Sequence, residues 1–476
     1  MKKIKHTICP FCCHRFHPNE ADFRLPGVAP AANKSRRKKV EAPGGISAIL
    51  DERLMDYQIE ILQVSEREAE KNAMQLPFIE VENNPDVYFD ESELEKYGFV
   101  QRLIYTPPEG KKITCEKRLC PNCHNDLPIG YGVRETMLIS ILGDARVGKS
   151  VFLTVLISEL ESNADFPSKL TFIGDAAVRE TFYENYQKPL LRNHELISST
   201  KRRKIPPYAF NFWYKCKNED GGFEENSIDI IFYDIAGEDL RDDYGIRQNG
   251  FNIKDSSGLI FLADPTNFPK LSDLFRVTDA SLIEAIPEEN SNQQIFNTLY
   301  NYFLGFDREK CPIPLALVLS KADLLRFVKF DFFANKPANR IQNIFGDELH
   351  NGAVNMRAVK SLNREVRELM TYLGEERIVN NAVGCFKTVS CFAVSSLGKK
   401  PTIEQISDPE TNETIEKGYV DGPLEPFRVK DAFYWILMRK QLLNKFENGR
   451  YARYTPPTPP EELNLWQKLI EFFAGR

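Results

Sequence analysis

Between about residue 134 and residue 448, short apolar runs alternate with stretches of helical periodicity. A short apolar run bounded by turn residues predicts a buried strand, and a pattern with a 3.6-residue period predicts a helix. A helical pattern of this kind closes the region at about 429–446. Such alternation is typical of an α/β domain built on a parallel sheet, so we expect a six-stranded, mostly parallel sheet with helical insertions. The predicted strands are residues 136–142, 208–214, 228–233, 258–263, 314–319 and 389–394.

The flanking segments have different patterns. Residues from about 51 to 72 are charged but carry apolar positions at helical spacing, which predicts a helix before the region is broken up by prolines. At the other end, the stiff proline-rich stretch 456–460 leads to an apolar stripe over 465–473. A stripe of this kind either docks on its own domain or binds a partner protein, and the pattern leaves both open.

Composition and charge are those of an ordinary globular chain. The 476 residues are 42% hydrophobic and 27% charged, and the net charge of -6 gives no general attraction to nucleic acid or anionic membranes. No apolar run approaches the about 18 residues that span a bilayer. The opening residues lead into cysteine and proline instead of a signal-peptide core, so we expect a cytoplasmic protein without a membrane span.

A phosphate-binding loop follows the first predicted strand. The pattern G-x-x-x-x-G-K-S lies between that strand and the apolar helix predicted at 151–157. Backbone N–H groups of such a loop surround phosphates, the lysine reaches the β- and γ-phosphates, and the serine is a ligand of Mg²⁺. The predicted phosphate-binding residues are Gly143, Asp144, Ala145, Arg146, Val147, Gly148, Lys149 and Ser150.

A D-x-x-G element ends the third predicted strand. Asp234 can hold Mg²⁺ through water, and the backbone N–H of Gly237 can sense a γ-phosphate. Together with Glu238 these residues form the predicted switch element.

The fifth and sixth strands end in residues suited to guanine. The Asp323 carboxylate, in the sequence S-K-A-D, can accept hydrogen bonds from two guanine donors that adenine lacks on that edge. Adenine would leave that charge unpaired, which costs affinity. Backbone N–H groups of the S-S-L-G stretch can meet the guanine carbonyl oxygen. The predicted guanine-binding residues are Ser320, Lys321, Asp323, Ser395, Ser396 and Leu397.

Two C-P-x-C motifs indicate a structural zinc site. Each motif is a turn that brings two thiolates towards one tetrahedral ion, here Cys9 with Cys12 and Cys120 with Cys123. The separation of the pairs requires a long insertion inside a zinc ribbon, and two unrelated turns or a redox site remain alternatives. Neighbouring residues that could substitute as ligands are Cys13, His14, His17, Cys115 and His124.

The order phosphate loop, D-x-x-G, S-K-A-D and S-S-L resembles the Ras-like and translation-factor class of P-loop GTPases. The cysteine motifs, the long insertions and the closing stretches 422–427 and 431–435 are similar to the bacterial double-GTPase family. That resemblance implies a role in conflict or defence systems beside GTPase-associated partner proteins. The patterns along the chain themselves divide it into a zinc-ribbon region with a long insertion at 1–133, a P-loop GTPase domain at 134–448 and a proline-rich spacer with an amphipathic helix at 449–476.

Departures from the Ras-like pattern bear on mechanism. Ser320 replaces the usual Asn or Thr, which weakens a contact to the phosphate loop, and Glu238 replaces the glutamine that orients water, which predicts slow hydrolysis. Arg146 either assists the reaction in cis or lies in solvent. Thr200, before the second predicted strand, is the candidate switch threonine and Mg²⁺ ligand.

Three functions are compatible with these patterns. The first is a GTP-hydrolysing switch that uses Mg²⁺, contains structural Zn²⁺ and passes the change from GTP to GDP to partner proteins. The second is a GTP-binding scaffold with negligible turnover. The third is a nucleotide-gated zinc-ribbon protein that binds nucleic acid through the basic run 34–39, which is otherwise a solvated loop.

Overall fold

The structure is a computed structural model. It describes residues 6–27, 48–62, 64–81, 87–89, 99–106, 112–144, 147–162, 168–173, 176–197, 208–235, 237–240, 251–268, 270–271, 291–304, 310–326, 344–345, 350, 352–407 and 414–455.

Residues up to about 133 form small antiparallel sheets and two helices. The elements are β1 (Thr7–Ile8), β2 (Arg15–Phe16), β3 (Asp22–Arg24), β4 (Ile49–Leu50), α1 (Glu52–Glu60), α2 (Glu66–Ala73), β5 (Met74–Gln75), β6 (Phe78–Ile79), β7 (Val87–Phe89), β8 (Leu103–Tyr105), β9 (Ile113–Cys115) and β10 (Lys117–Leu119). Two sheets are the pairs β1–β2 and β4–β5, and two have three strands in the orders β10-β3-β6 and β7-β8-β9.

The helix predicted at about 51–72 is two helices in the structure. Asp51 caps α1 by accepting a hydrogen bond from the Leu54 N–H, which satisfies one of the free donors at a helix start. Helix α1 buries Leu54 and Tyr57 beside the paired cysteines, and α2 packs against α1.

The rest of the described chain forms one α/β domain. Its elements are β11 (Thr136–Gly143), α3 (Lys149–Ser162), β12 (Ser168–Ile173), α4 (Ala176–Phe182) continued by a π-helical segment (Tyr183–Arg192), β13 (Tyr208–Lys217), β14 (Phe223–Asp234), α5 (Phe251–Lys254), β15 (Gly258–Ala263), α6 (Ser291–Leu304), β16 (Leu315–Leu319), β17 (Val354–Asn355), α7 (Met356–Tyr372), α8 (Glu376–Cys385), β18 (Val389–Ala393), β19 (Thr402–Ser407), β20 (Thr414–Tyr419), α9 (Asp431–Arg439), β21 (Lys445–Glu447) and β22 (Arg450–Ala452).

The central sheet has the strand order β12-β13-β14-β11-β15-β16-β18. Strands β14, β11, β15, β16 and β18 run parallel, while β12 and β13 are antiparallel to their neighbours. The mixed α/β fold and all six predicted strands are confirmed. The seventh strand, β12, lies in a segment that the sequence patterns assign to an insertion. Its exposed Lys169 and Thr171 alternate with buried positions, as expected for an edge strand with one solvated face.

Helix α9 packs across the centre of the sheet. Gly258 opens β15 where Ile436 approaches so closely that any side chain on residue 258 would overlap it. The helix ends at Arg439, earlier than predicted, because Gln441 adopts a left-handed φ of 62°. The chain continues as the hairpin β21–β22, whose first strand pairs with β17. Residues 450–452 of the expected tail therefore belong to this hairpin.

The cysteine-bearing region packs on one face of the central sheet. Ile8 and Cys13 are buried in a cluster with Leu138, Ala209 and Ile231 from β11, β13 and β14. At the edge of this contact, the Arg15 side chain reaches the Asp255 carbonyl at 3.2 Å, just after α5. The two regions are thus joined through apolar contacts on the face of the sheet.

Within the described part of the chain, none of the helices is long and apolar enough to cross a membrane.

Candidate functional site

The predicted site residues follow strands whose carboxyl ends meet at one edge of the sheet. Ile141 near the end of β11 is in register with Asp234 at the end of β14. On the other side, β15, β16 and β18 end together at Ala263, Leu319 and Ala393. Ligands of open α/β sheets bind at this edge.

The phosphate loop connects β11 to the first turn of α3. Gly148 has a φ of 88°, a left-handed conformation that favours glycine. Gly143 lies so close to the Leu262 carbonyl that a side chain would not fit. The Lys149 ammonium donates to the carbonyls of Gly143 at 3.0 Å and Asp144 at 2.7 Å, so it lies over the loop. Ala145 and Arg146 are outside the described residues.

Ser150 and Asp234 come together beside this loop. The Ser150 hydroxyl donates to Asp234 Oδ2 at 2.9 Å. Burial raises the pKa of Asp234 above the usual aspartate value, and the Lys149 charge opposes that shift. Among the described residues, Asp234 Oδ1 is enclosed and has no hydrogen-bond partner. A hydroxyl and a carboxylate beside a helix N-terminus form an oxygen donor set that suits Mg²⁺.

The switch residues are described only in part. Gly237 begins a single 3₁₀ turn that ends at Leu240. The side chain of Glu238 and the whole of Thr200 lie outside the described residues, so their roles stay predictions.

Asp323 lies buried in a 3₁₀ turn after β16. The Ser395 hydroxyl donates to Asp323 Oδ1 at 2.5 Å and accepts from the Gly398 N–H at 2.8 Å. Burial raises the pKa of Asp323, and the hydrogen bond from Ser395 partly offsets that rise. The carboxylate is therefore fixed in orientation by a residue from the next strand end.

Backbone pairing holds the loop that follows β18. Ser395 and Phe427 exchange backbone hydrogen bonds, and the Glu425 N–H donates to the Leu397 carbonyl at 2.9 Å. Ser396 lies half-buried within this loop. The closing stretch 422–427 therefore supports the loop predicted to meet the guanine oxygen.

Ser320 and Lys321 both bond to the end of the neighbouring strand β15. The Ser320 hydroxyl donates to the Ala263 carbonyl at 3.1 Å, and Lys321 forms a 2.7 Å ion pair with Asp264. Asp264 was not among the predicted site residues, although its position directly after a buried strand could have indicated it. Asp264 fixes Lys321, which is predicted to contact the base.

An aromatic pocket adjoins Ser150 and Asp234 and was also missed. Phe182, Tyr186, Tyr208 and Phe232 line it. Nothing in the sequence indicates it, because α4, the π-helical segment and β13 meet there only in the folded chain.

The four cysteines of the C-P-x-C motifs form one buried cluster. Their sulfur atoms all lie within 4.8 Å of one another. The Cys9–Cys123 and Cys12–Cys120 sulfur distances are both 3.7 Å. A zinc tetrahedron with bonds of about 2.3 Å has sulfur separations of about 3.8 Å, whereas a disulfide requires about 2.05 Å.

Donors around the sulfurs also fit a metal centre. The Phe11 and Asn122 N–H groups donate to Cys9 and Cys120, each at 3.4 Å, as expected for turns that hold thiolates. Burial raises the pKa of the Cys9 and Cys120 thiols, and the neighbouring cysteines raise it further. The four sulfurs can therefore all be thiolates only with a cation between them, which Zn²⁺ would supply. The cluster therefore fits Zn²⁺.

The alternative ligands lie elsewhere. Cys13 packs against the central sheet, and Cys115 belongs to a separate apolar cluster. The His124 ring nitrogens contact Asp51 and Arg53, both at 2.9 Å. In the described part of the chain, the four cysteines are the only group of three or more potential ligands that converge.

Comparisons with known proteins give distant similarities. No protein-family model matches the sequence. The "Putative ESX-1 scaffolding and assembly protein SaeC" of Mycolicibacterium smegmatis is 22% identical over 347 residues, which cover 67% of this chain and 78% of that protein.

Two solved structures are similar in part of their fold. The GTPase-like domain of Ski7 from S. cerevisiae, bound to GTP, has a TM-score of 0.29 and 16% identity over 66% of this chain. Sup35 complexed with GMPPNP has a TM-score of 0.23 and 9% identity over 56% of this chain. The matches span 52% and 39% of those two chains, respectively. The argument for nucleotide binding therefore rests on the residues at the strand ends of this chain and not on these similarities.

Proposed function

We propose that the protein is a GTP-binding and GTP-hydrolysing molecular switch. The observation that carries this proposal is the pairing of Ser150 with Asp234 and of Ser395 with Asp323 at the carboxyl edge of one sheet. The first pair supplies oxygen donors for Mg²⁺ next to a phosphate loop. The second supplies an oriented carboxylate that distinguishes guanine from adenine.

At the phosphate end, Lys149 exchanges its contacts with loop carbonyls for contacts with the β- and γ-phosphates, while residues 143–150 donate backbone N–H groups. Ser150, Asp234 and Thr200 form the proposed Mg²⁺ site. The Gly237 N–H binds the γ-phosphate. When the phosphate leaves after hydrolysis, the switch element around Glu238 relaxes.

At the base end, Asp323 accepts from the guanine ring N–H and exocyclic amine. Lys321 and Ser320 support that turn from β15, and Ser395, Ser396 and Leu397 surround the guanine carbonyl oxygen. Adenine leaves the buried Asp323 charge without donors, which gives GTP its advantage.

Hydrolysis without a partner is expected to be slow. Glu238 stands where a neutral, water-orienting residue is usual, and its carboxylate repels the γ-phosphate. Arg146, inside the loop, is the cation available in cis. A partner protein that neutralises Glu238 or supplies an arginine would accelerate the reaction.

The four-cysteine cluster is proposed as a structural Zn²⁺ site of the region 1–133. Bound zinc would neutralise the thiolates of Cys9, Cys12, Cys120 and Cys123 and tie two distant turns together. We further propose the domain limits 134–448 for the GTPase unit and 449–476 for the tail, apart from the β22 strand.

The wider role proposed is that of a cytoplasmic regulatory component of a bacterial conflict system with GTPase-associated protein partners. The resemblance to double GTPases supports this role. A GTP-binding scaffold with negligible turnover is the second candidate, favoured by Glu238 and by the scaffolding description of the 22%-identical relative. Nucleic-acid binding through residues 34–39 is supported only by their basic sequence.

Phosphate release from GTP and from ATP, measured on the purified chain with Mg²⁺, tests the proposal. A switch releases phosphate from GTP slowly and ignores ATP. Tight GTP binding without any phosphate release would favour the scaffold, and a preference for ATP would refute the base assignment.

A further inference from the structure

Ser150 and Asp234, the proposed Mg²⁺ ligands, line a small cavity together with tyrosine side chains to which the proposed chemistry gives no role. Its water-accessible volume is about 10 Å³, close to the smallest space that holds one water molecule. Asp234, Thr154, Tyr186 and Tyr208 contribute polar side chains to its lining.

Asp234, a residue of this lining, has one oxygen without a hydrogen-bond partner among the described residues. Its Oδ2 atom accepts from Ser150, whereas its enclosed Oδ1 atom has no partner among the described residues. A buried carboxylate oxygen without a donor is unfavourable, and a neutral donor would satisfy it without competing with Mg²⁺ for charge.

Two tyrosines in the lining supply such donors. An ordinary tyrosine has a pKa of about 10, so the hydroxyls of Tyr186 and Tyr208 are neutral hydrogen-bond donors near neutral pH. The two hydroxyls also interact with each other, and their ring centroids are 6.1 Å apart.

The surroundings hold these tyrosines in place. Phe182 stacks on Tyr186 with a centroid distance of 5.5 Å and contacts Tyr208 at 4.5 Å. Tyr208 is the first residue of β13, and Tyr186 belongs to the π-helical segment, which packs against α3.

We propose that Tyr186 and Tyr208 bind one water molecule in this cavity and, through it, position Asp234 for the metal. The water donates to Asp234 Oδ1 and accepts from a tyrosine hydroxyl, which gives it the two or more polar partners that a buried water needs. The tyrosines are positioning residues for the Mg²⁺ site of the proposed GTP switch, so the inference rests on that function.

The test is the Mg²⁺ dependence of nucleotide release. Fluorescent GDP dissociation is measured over a range of free Mg²⁺ and in excess EDTA for the wild type, Tyr186→Phe and Tyr208→Phe. Each substitution removes one hydroxyl and keeps the ring. We expect the Mg²⁺ concentration that half-maximally slows release to rise about three- to tenfold, the effect of one hydrogen bond. Release in EDTA should stay unchanged, because the metal is then absent in all three proteins.

Tyr183→Phe is the matched control, since it makes the same change in the same π-helical segment outside the cavity lining. It should behave as the wild type. In the double variant, the effects should combine less than additively, because both hydroxyls serve one water molecule.

The results of this experiment distinguish a failure of the tyrosine–water proposal from a failure of the proposed GTP switch. A wild type whose GDP release depends on Mg²⁺, with Tyr186→Phe and Tyr208→Phe unaltered, overturns the inference alone. Equal acceleration of release with Mg²⁺ and in EDTA also overturns it, since that is a general loss of packing. A wild type that binds no guanine nucleotide, or binds it without regard to Mg²⁺, overturns both.

Discussion

The Ser395 hydroxyl bonds to Asp323 Oδ1 at 2.5 Å, although 72 positions separate the two residues. The Ser395 hydroxyl oxygen also accepts from the Gly398 N–H, so the loop after β18 orients the carboxylate in the turn after β16. The proposed selection of guanine would therefore depend on two strand ends held in register.

Replacing Asp323 with asparagine should reverse the choice of base. The new amide puts a donor opposite a guanine donor, which should weaken GTP binding by roughly 1–3 kcal/mol or more. Xanthosine triphosphate should gain affinity, because its carbonyl oxygen accepts from that amide. Competition binding with GTP, ATP and xanthosine triphosphate measures this. Asp220→Asn, in the exposed turn between β13 and β14, is the control and should leave the order unchanged.

Acid should weaken GTP binding through Asp323. Guanine binding uses the charged carboxylate, and burial raises its pKa above the value of about 3.9 for an exposed aspartate. Affinity should thus be complete near neutral pH and fall as the pH drops through the raised pKa. Ser395→Ala removes the hydrogen bond that lowers this pKa, so its loss of affinity should begin at higher pH. Titration calorimetry across pH compares the two proteins, and coincident profiles would contradict the prediction.

Lys149→Ala should strongly weaken triphosphate binding. The lysine is the cation that lies over the loop carbonyls of Gly143 and Asp144, and a hydrogen bond from a charged donor is worth roughly 1.5–3 kcal/mol. Affinity for a slowly hydrolysed GTP analogue should fall by about one to two orders of magnitude. Lys169→Ala, at an exposed position of β12, is the control. Unchanged binding in a folded Lys149→Ala protein would show that the loop holds no phosphate.

Metal analysis should find about one zinc per chain. Replacing any of Cys9, Cys12, Cys120 and Cys123 with serine should lower that content and increase protease sensitivity, because the metal joins two turns of the region. Cys115→Ala is the control, since Cys115 is buried outside the cluster. A wild type free of metal with full protease resistance would contradict the zinc assignment.

Two glycines should respond in opposite directions to alanine. Gly398 has a φ of 73° and lies against the Glu425 carbonyl, so Gly398→Ala should lower the free energy of unfolding by more than about 1 kcal/mol. Gly384 lies in α8 with open space around it, so Gly384→Ala should raise that free energy by roughly 0.5–1 kcal/mol. Chemical denaturation measures both.

The strands that could be predicted from the sequence are those buried on both faces of the central sheet. Strands such as β15 and β16 are continuously apolar and therefore visible in sequence. Strand β12 alternates and carries an exposed lysine, which hides it among surface segments. The end of α9 was missed because Leu442 continues the helical pattern, although Gln441 has already turned the chain.

The predictable part of the site consists of residues that are neighbours in sequence or share a motif. The structure brings together Ser150 with Asp234 and Asp323 with Ser395. Tyr186 and Tyr208 carry no such pattern, because their meeting depends on how the π-helical segment packs.

The cysteine cluster sets an order in time for the folding of a growing chain. Cys12 and Cys120 are 108 positions apart, so at a synthesis rate of about 5–20 residues per second the first pair waits roughly 5–20 s for its partners. Ile8 waits longer still, because its apolar neighbours include Ile231. The segment 7–16 is thus made early and docked late, and until then Cys9 and Cys12 lack the second pair of sulfurs.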